Sequence, residues 1–313
     1  MVIDYRSIAD MNDAIIKNLH KFPHDVDLVV GIPRSGMLPA NLVALYLNKP
    51  FTDIDSFIEG KIYSSGERGR YIQKGEGCKI LVMDDSIDSG NALSKAKRKI
   101  ETALSESKNI YELLYGVVYA TKKNVDKIDL YCEATDDGSR IFQWNIFHHD
   151  TILKMSYFDI DGVLCPNPPI DDDGPIYLNY ITNAPLLYKP TVKISTLVSC
   201  RLEKYRSATE EWLHKNGILY DNLIMLNLNN KEERTKWGKH GTYKGKIYRD
   251  SDAVLFVESS YQEALEISKI SHKPVFCTEN FVMLNDKFAY TKKFLKNKLY
   301  TPLKILFNFF MHK

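Results

Sequence analysis

The sequence has 313 residues, of which 44% are hydrophobic and 26% are charged, so it is typical of a globular protein long enough for two domains. Its formal net charge of +2 gives no electrostatic reason to expect nucleic acid as a partner. Five scattered cysteines without a CxxC pair argue against a disulfide framework or a zinc site, and with no signal-peptide pattern they favour a cytoplasmic location.

The first predicted elements are a helix over residues 8–19, from its apolar spacing, and a strand over residues 26–30. The strand leads into the segment GIPRSGMLPA, residues 31–40, and a second helix is predicted to run through Leu47. Glycines on both sides of Arg34 and Ser35 allow unusual backbone angles and close contact with an anion. Taken alone, this turn is equally compatible with a plain loop.

Residues 79–93, KILVMDDSIDSGNAL, are the stretch on which the prediction of function depends. An apolar strand leads to two adjacent carboxylates, Asp84 and Asp85, and a turn of small residues then opens a helix. Backbone N–H groups converge at such a turn, the helix dipole favours negative charge, and Gly90 allows close approach. Adjacent carboxylates beside a phosphate indicate binding of ribose hydroxyls and Mg²⁺. The alternative is an ordinary strand–turn–helix with surface acids.

This stretch resembles the signature of type I phosphoribosyltransferases, which bind 5-phosphoribosyl-1-pyrophosphate (PRPP). The resemblance implies that the acids hold the ribose hydroxyls, that the turn holds the 5-phosphate, and that Asp88 is the general base. The loop at residues 34–36 matches the family's pyrophosphate loop, whereas Ala92 replaces a usual phosphate-binding hydroxyl. The predicted PRPP-binding residues are Arg34, Ser35, Gly36, Asp84, Asp85, Ser86, Ile87, Asp88, Ser89, Gly90, Asn91 and Ala92.

Residues 60–77 form a long segment rich in glycine and basic residues, and long loops are commonly lids. Its placement resembles the family's flexible catalytic loop, although a solvated surface hairpin is the alternative. The basic residues that would neutralise the leaving pyrophosphate are Lys61, Arg68, Arg70 and Lys74. Further strands over residues 113–120 and 128–132 alternate with helices, which predicts a parallel sheet covered on both faces.

The strand–loop–helix pattern starts again after His149, with a strand over residues 153–158 followed by Asp159, Ile160 and Asp161. Two carboxylates separated by one residue at a strand end suit metal-assisted phosphoryl chemistry. The first can attack phosphorus, and the second can act as general acid and base. Downstream we predict a strand ending at Ser199, a helix over residues 203–218, and a strand over residues 253–260 that carries an acid.

In this order the segments resemble the four motifs of haloacid dehalogenase-like phosphatases. The resemblance implies catalysis by Asp159, Asp161 and Lys244, with Lys246 as the second choice of lysine. It implies phosphate binding by Ser199, Cys200 and Lys244, and a Mg²⁺ site formed by Asp159, Asp161 and Glu258. Ser259 stands where an aspartate is commoner, which weakens the expected metal affinity, and a degenerate, inactive phosphatase is the alternative.

Two further segments bear on the substrate. The stretch between the first two phosphatase motifs is too short for a large cap domain, which by the resemblance implies an open site and a bulky substrate. Residues 290–313 contain no acid, and their lysines alternate with apolar residues at helical spacing. This pattern predicts either a basic amphipathic helix on an anionic membrane surface or a helix packed on the phosphatase domain.

We therefore predict an α/β chain with two Rossmann-like domains. They are a type I phosphoribosyltransferase domain over 1–150 and a haloacid dehalogenase-like domain without a large cap over 151–289. The tail spans 290–313. A phosphoribosyltransferase product keeps its 5-phosphate, which a phosphatase in the same chain would remove, so the net result is transfer of plain ribofuranose.

Fused domains of this pair resemble ribofuranosyltransferases of bacterial polysaccharide assembly. The resemblance implies a glycan acceptor, lipid-linked at the cytoplasmic face of the membrane. The alternatives are a nucleobase phosphoribosyltransferase joined to a nucleotide phosphatase, and a PRPP-sensing regulatory protein. The sequence predicts neither the acceptor sugar nor the oligomeric state.

Overall fold

The computed structural model describes residues 3–63, 77–105, 111–168 and 173–285. The chain forms two compact units. The N-terminal unit spans Ile8–Gly138, and the C-terminal unit combines the residues up to Ser7 with those from Ser139 onward. Strand β1 (Asp4–Arg6) belongs to the C-terminal unit because it pairs in parallel with the strand at Arg140–Phe142. The boundary between the two compact units therefore lies after residue 138, whereas the domain boundary predicted from the sequence lies after residue 150.

Two predicted segments lie outside the described residues. They are most of the basic lid, including Arg68, Arg70 and Lys74, and the tail over 290–313. Lys61, at the start of the lid segment, is described and exposed. Within the described ranges, no helix is both long and apolar enough to cross a membrane.

The N-terminal unit is built on a five-stranded sheet. Its strands are β2 (Leu28–Gly31), β3 (Phe51–Asp53), β4 (Cys78–Ile87), β5 (Tyr111–Thr121) and β6 (Leu130–Thr135). Its helices are α1 (Ile8–Lys17), α2 (Met37–Leu47), α3 (Ile54–Ile58) and α4 (Asn91–Leu104), with 3-10 turns at Leu19–Lys21 and Lys122–Lys127. The strand order is β3-β2-β4-β5-β6, and all neighbours are parallel. The predicted parallel α/β architecture is confirmed.

Burial explains why these residues form a covered sheet. Every residue of β2 is buried, and so are the four apolar residues 80–83 of β4, as expected for strands with helices on both faces. Helix α4 buries Leu93, Ala96 and Ile100, which recur at helical spacing on one face. This packing leaves the carboxyl ends of β2 and β4 free to carry polar residues.

The C-terminal unit contains a second α/β sheet. Its further strands are β7 (Arg140–Phe142), β8 (Ser156–Phe158), β9 (Ile194–Leu202), β10 (Tyr220–Leu226), β11 (Leu255–Glu258), β12 (Val275–Cys277) and β13 (Val282–Leu284). Its helices are α5 (Asp150–Leu153), α6 (Pro175–Asn183), α7 (Arg206–Lys215), α8 (Lys231–Trp237), α9 (His240–Arg249) and α10 (Tyr261–Ser271), with a 3-10 turn at Glu203–Tyr205. The main sheet has the order β10-β9-β8-β11-β12-β13, with only its β12–β13 pair antiparallel among the described strands.

Helix α9 lies close to α10 because two of its residues are glycines. A Cβ atom at Gly245 would lie 3.0 Å from the Cβ of Ile270, and one at Gly241 would lie 3.0 Å from the Cβ of Glu266. Larger residues would separate the two helices. Lys244, between these glycines, is buried, and the close packing holds its side chain over the edge of the sheet.

Candidate functional site

In the N-terminal unit, the predicted pyrophosphate loop and the predicted acid pair meet at one edge of the sheet. Strands β2 and β4 are parallel neighbours, with Gly31 opposite Met83, and the Ile32 amide donates to the Met83 carbonyl at 2.9 Å. The strand order reverses between these two strands, because β3 lies on one side and β5 and β6 lie on the other. Open α/β sheets bind ligands in the crevice at such a switch point.

Gly36 allows the loop after β2 to touch the acid pair. A Cβ atom at this position would lie 2.5 Å from the Ile32 carbonyl oxygen, 2.7 Å from that of Met83, and 2.8 Å from Asp84 Oδ1. Only glycine fits here without displacing backbone. The neighbouring Arg34 is exposed, Ser35 is half-buried, and the peptide bond between Pro33 and Arg34 is cis.

The two adjacent acids lie inside β4, which continues past them to Ile87, whereas the sequence predicted that the strand would end at the acids. Both are buried, with Asp84 7% and Asp85 6% exposed. Asp84 Oδ1 accepts a hydrogen bond from the Asp85 amide at 2.8 Å. Burial, and then the charge of Asp85, raise the pKa of Asp84 to about 8. Among the described residues, no basic side chain pairs with Asp84. The site therefore favours a ligand that can neutralise or hydrogen-bond a buried carboxylate.

The turn after the acids leads into α4. Gly90 has a φ of +82° and no side chain to occupy the amides of the first helical turn, where Ala92 lies. The Ser89 hydroxyl accepts from the Asn91 amide at 3.3 Å. Asp88 is the most solvent-exposed of the predicted site acids in this unit, since its side chain is 75% exposed. Its carboxylate lies 3.7 Å from Lys123 Nζ. The turn can hold an anion, and Asp88 is accessible to a reacting group.

In the C-terminal unit, the structure brings three predicted residues together. Asp159 follows β8 and Glu258 ends β11, as predicted, and these strands are parallel neighbours at the point where the strand order reverses. Lys244 Nζ donates to Asp159 Oδ2 at 2.7 Å and to Glu258 Oε2 at 2.7 Å. Lys246 is exposed, so the first choice of lysine is the one at the acids.

A third carboxylate at Lys244 was missed by the sequence analysis. Lys244 Nζ also donates to Glu263 Oε2 at 2.9 Å, and Glu263 lies 3.7 Å from the His240 ring. Burial opposes ionisation of Glu263, but the hydrogen bonds from His240 and Lys244 outweigh it and lower its pKa to about 2. The available signal was an acid in the first turn of the helix that follows the Glu258 strand.

Charge in this cluster is unbalanced. Burial disfavours the ammonium of Lys244, but its carboxylate neighbours outweigh this and raise its pKa, so it stays protonated. Burial also raises the pKa of Asp159, and the Glu258 carboxylate adds to the shift while Lys244 opposes it. Three carboxylates against one ammonium leave net negative charge at the centre of the cluster, and such a cluster attracts a cation.

Asp161 faces away from this cluster toward Arg201. Arg201 Nε donates to Asp161 Oδ2 at 3.0 Å, and Nη2 donates to Oδ1 at 2.7 Å. The Arg201 side chain is fully buried, and it also contacts the Cys165 sulfur at 3.3 Å. Within the described ranges, no group of three or more His, Cys, Asp or Glu side chains is arranged to hold a metal ion. The predicted set of Asp159, Asp161 and Glu258 is thus gathered only in part.

Arg201 reaches Asp161 because β9 does not end at Ser199 as predicted. The strand continues to Leu202 through a bulge, since Val198 pairs with Ile224 but Leu202 pairs with Leu226. Ser199, Cys200 and Arg201 lie opposite the single residue Met225, so β9 carries two extra residues here. Ser199 Oγ is buried and accepts from the Arg201 amide at 3.1 Å, and burial raises the pKa of Cys200 to about 12.

Ser259, which replaces the commoner acid, has a defined structural place. Its hydroxyl donates to the Asp161 carbonyl at 3.1 Å, and its amide donates to Glu258 Oε1 at 2.8 Å. Gly162 has a φ of +76°, and a Cβ atom there would lie 2.3 Å from Ser259 Oγ. The small serine therefore fits against glycine and ties the strand end of β11 to the segment after β8.

Residues 4–151 match the family described as "Phosphoribosyl transferase domain". No curated protein matches the chain. The Helicobacter pylori xanthine-guanine-hypoxanthine phosphoribosyltransferase is similar at 16% identity, with a TM-score of 0.34 over 46% of this chain and 93% of that one. A Pyrococcus horikoshii purine phosphoribosyltransferase is similar at 19% identity, with a TM-score of 0.34 over 46% of this chain and 95% of that one. An Aeropyrum pernix orotate phosphoribosyltransferase is similar at 17% identity, with a TM-score of 0.27 over 39% of this chain and 66% of that one. Scores this low say nothing about the acceptor.

Proposed function

From the premise that residues 4–151 form a PRPP-using type I phosphoribosyltransferase domain, we propose a two-step ribofuranosyl transfer. The chain moves 5-phosphoribose from PRPP to a lipid-linked glycan and then removes the 5-phosphate, so that surface polysaccharide receives a β-ribofuranose. The observation that carries the second step is the position of Lys244 Nζ, 2.7 Å from both Asp159 and Glu258. The proposed location is the cytoplasm, at the inner face of the membrane.

In the proposed PRPP site, Asp84 and Asp85 bind the ribose hydroxyls. The loop at residues 34–36 holds the pyrophosphate, with Arg34 supplying positive charge. The segment over residues 86–92, which is the end of β4, the turn after it and the start of α4, holds the 5-phosphate. The close approach at Gly36 supports this arrangement, because it brings the loop within contact distance of Asp84. A charged ligand oxygen at the turn would be favoured by the amides at the start of α4.

Mg²⁺ fits the adjacent carboxylates of the N-terminal unit, whereas in the C-terminal unit it would meet only two of the three predicted ligands and would have to displace the Lys244 ammonium from them. Asp84 and Asp85 offer buried carboxylates whose mutual repulsion a cation would relieve, as the raised pKa of Asp84 indicates. In the C-terminal unit, Asp159 and Glu258 would hold the ion beside the excess negative charge. When bound, Mg²⁺ supplies positive charge that neutralises phosphate oxygens.

In the transfer step, a sugar hydroxyl of the acceptor forms a bond to C1 of the ribose as the bond from C1 to pyrophosphate breaks. The hydroxyl proton passes to the Asp88 carboxylate, which acts as general base. Because pyrophosphate leaves from the α face, attack from the opposite face gives the β-linked product. The exposure of Asp88 supports this role, since an acceptor hydroxyl can reach its oxygens.

In the second step, an Asp159 oxygen attacks the phosphorus and the bond from phosphorus to the ribose O5 breaks. Asp161 is proposed to give a proton to the departing oxygen and later to take one from the water that hydrolyses the phosphoryl-aspartate. Both Asp161 oxygens accept hydrogen bonds from Arg201, so this role requires the Arg201 pair to open. Lys244 offsets negative charge on the phosphoryl oxygens, together with donors from the Ser199–Cys200 segment. The 2.7 Å contact from Lys244 Nζ to Asp159 Oδ2 supports the role of nucleophile, because the ammonium opposes the effect of burial on the pKa of Asp159.

The test uses Asp159→Asn, which retains the side-chain shape and removes the nucleophile. With PRPP and a glycan acceptor, the variant should add the mass of a phosphorylated pentose, whereas the wild type should add a pentose alone. Asp221→Asn is a matched control, because Asp221 is an exposed partner of Lys193 on the same unit. If both proteins form the same unphosphorylated product by mass spectrometry, the coupled mechanism is wrong.

The phosphoribosyltransferase domain is equally consistent with a nucleobase acceptor, followed by dephosphorylation of a nucleotide. Pyrophosphate release with PRPP and purines or pyrimidines, but not with glycans, would favour that activity. A PRPP-sensing protein would bind PRPP and release no pyrophosphate with any acceptor. These two results separate the alternatives from the glycan proposal in a single assay.

A further inference from the structure

Two buried polar side chains lie directly behind the turn that carries Asp88. Thr121 is the last residue of β5, and Asn124 lies in the following 3-10 turn, Lys122–Lys127. Each residue is only 1% exposed. Polar groups this deeply buried are costly unless they are hydrogen-bonded, so their partners indicate what the two side chains hold in place.

The hydrogen bonds of the pair end on the backbone of the turn. Asn124 Nδ2 donates to the Asp88 carbonyl oxygen and, at 2.7 Å, to Thr121 Oγ1. The Thr121 hydroxyl in turn donates to the Ile87 carbonyl oxygen at 3.4 Å. Both hydrogens of the Asn124 amide and the hydroxyl hydrogen of Thr121 are thereby used. We call Thr121 and Asn124 the carbonyl bracket.

Peptide geometry converts this bracket into a constraint on the opposite side of the turn. A trans peptide unit is planar, and its C=O and N–H point in opposite directions. The Ile87 carbonyl belongs to the same peptide unit as the Asp88 amide, and the Asp88 carbonyl belongs to that of the Ser89 amide. Holding the two carbonyls toward the bracket therefore turns these two N–H groups away from it.

We propose that Thr121 and Asn124 are positioning residues that aim the Asp88 and Ser89 amides at the 5-phosphate of PRPP. The inference rests on the proposed PRPP site and adds residues to it that lie outside the signature segment. A phosphate oxygen accepts short, strong hydrogen bonds from backbone N–H groups, and donors that are aligned before binding need not be ordered when the ligand arrives. The carbonyl bracket supplies that alignment before the ligand arrives. It also fixes the position of the Asp88 backbone in the proposed site.

The experiment compares two ligands that correspond to different parts of PRPP, ribose 5-phosphate and pyrophosphate, by calorimetry with the full chain. Thr121→Val keeps the branched shape and removes the hydroxyl, and Asn124→Leu removes the amide. Each variant should raise the Kd of ribose 5-phosphate about tenfold, the effect of one impaired charge-assisted hydrogen bond. Pyrophosphate, held by the loop at residues 34–36, should keep its affinity within about twofold.

Ser271→Ala is the matched control, because it also removes a buried hydroxyl that donates to a carbonyl, that of Ile267 at 2.7 Å in the other unit. It should change neither Kd. An equal increase in the Kd of both ligands in the bracket variants would indicate a general structural role and would overturn the inference. An unchanged Kd of ribose 5-phosphate would also overturn it. If Asn124→Leu does not fold, Thr121→Val decides the matter alone. A wild type that binds neither ligand would refute the proposed PRPP site itself.

Discussion

Asp84 and Lys244 are both buried ionisable residues, but their neighbours stabilise the charged form of Lys244 and destabilise that of Asp84. Lys244 has three carboxylates within hydrogen-bond distance, so its ammonium is stabilised although it is only 3% exposed. Asp84 has the amide of Asp85 as a donor and the carboxylate of Asp85 as a repelling neighbour. The ligand-free protein therefore holds a carboxylate at a position where ionisation is unfavourable.

We predict that Asp84→Asn stabilises the metal-free protein increasingly as the pH rises from about 4 to about 8. The folded-state pKa of Asp84 is raised from 3.8 to about 8, so the unfolded chain loses this proton first and folding becomes less favourable across that window. Asparagine cannot ionise, and it keeps the oxygen that accepts from the Asp85 amide. Near the upper end of the window the gain should approach about 5 kcal/mol, the free energy that corresponds to raising the pKa from 3.8 to about 8.

The measurement is thermal unfolding of both proteins in chelator at several pH values. Asp25→Asn serves as a control for charge removal, because Asp25 is an exposed partner of Lys79 and should give a small, nearly constant difference. A stability gap for Asp84→Asn that does not change with pH would mean that Asp84 ionises normally. The same variant should bind PRPP more weakly. Asp84 would then be a residue that lowers the stability of the free protein and is required for binding.

At the scale of elements, function depends on where strands end and how closely the next loop approaches. The loop after β2 contacts the end of β4 through Gly36, and the bulge in β9 turns Arg201 toward Asp161. In the first case an irregular feature brings backbone to a carboxylate of the neighbouring strand, and in the second it brings the Arg201 side chain to the carboxylate of Asp161. A regular strand or a larger residue at these points would separate the groups.

We predict that Gly36→Ala impairs both stability and PRPP binding. The added Cβ would lie 2.5 Å from the Ile32 carbonyl oxygen and 2.8 Å from Asp84 Oδ1, so backbone must move. The expected cost is about 1–3 kcal/mol in the free energy of unfolding, as for other overpacked sites. Denaturant unfolding gives the stability, and calorimetric titration gives the PRPP affinity.

Gly138→Ala provides the matched control for this substitution. A Cβ atom at Gly138 would have no heavy atom within 4 Å, so the same chemical change should leave both quantities nearly unaltered. If Gly36→Ala behaves like Gly138→Ala in both measurements, the close approach of the loop to Asp84 is not required for binding.

At the scale of the whole molecule, each compact unit has its own parallel or mostly parallel sheet, its own buried core and its own candidate site at a strand-order reversal. We therefore expect the two half-reactions to be separable by mutation. Asp84→Asn combined with Asp85→Asn should abolish pyrophosphate release from PRPP and leave hydrolysis of a small aryl phosphate unchanged. Asp159→Asn should have the opposite effects.

Pyrophosphate release and aryl phosphate hydrolysis are measured on the same preparations, with the exposed-site variant Asp221→Asn as the reference for both. Loss of both activities in either variant would contradict independent sites. A wild type without aryl phosphate hydrolysis would instead support the alternative of a degenerate phosphatase unit, while leaving the phosphoribosyltransferase domain in place.

The sequence by itself determined the features that are written in contiguous residues. The acid pair near the carboxyl end of β4, Gly90 before α4, and Glu258 at the end of β11 follow from an apolar run and the polar residues after it, although β4 itself continues past the acids to Ile87. Parallel α/β architecture follows equally from the alternation of such runs with helical segments. Local patterns were sufficient here because strand ends and turns are specified by neighbouring residues.

Tertiary structure alone decided which distant side chains meet. Arg201 pairs with Asp161 across 40 positions, Asn124 with the Asp88 backbone across 36, and Glu263 with Lys244 across 19. These contacts depend on a bulge, a 3-10 turn and the close packing of two helices, none of which has a strong local signature. Since side-chain pairing is set by the packing of whole elements against one another, hydrophobic periodicity carries no information about it.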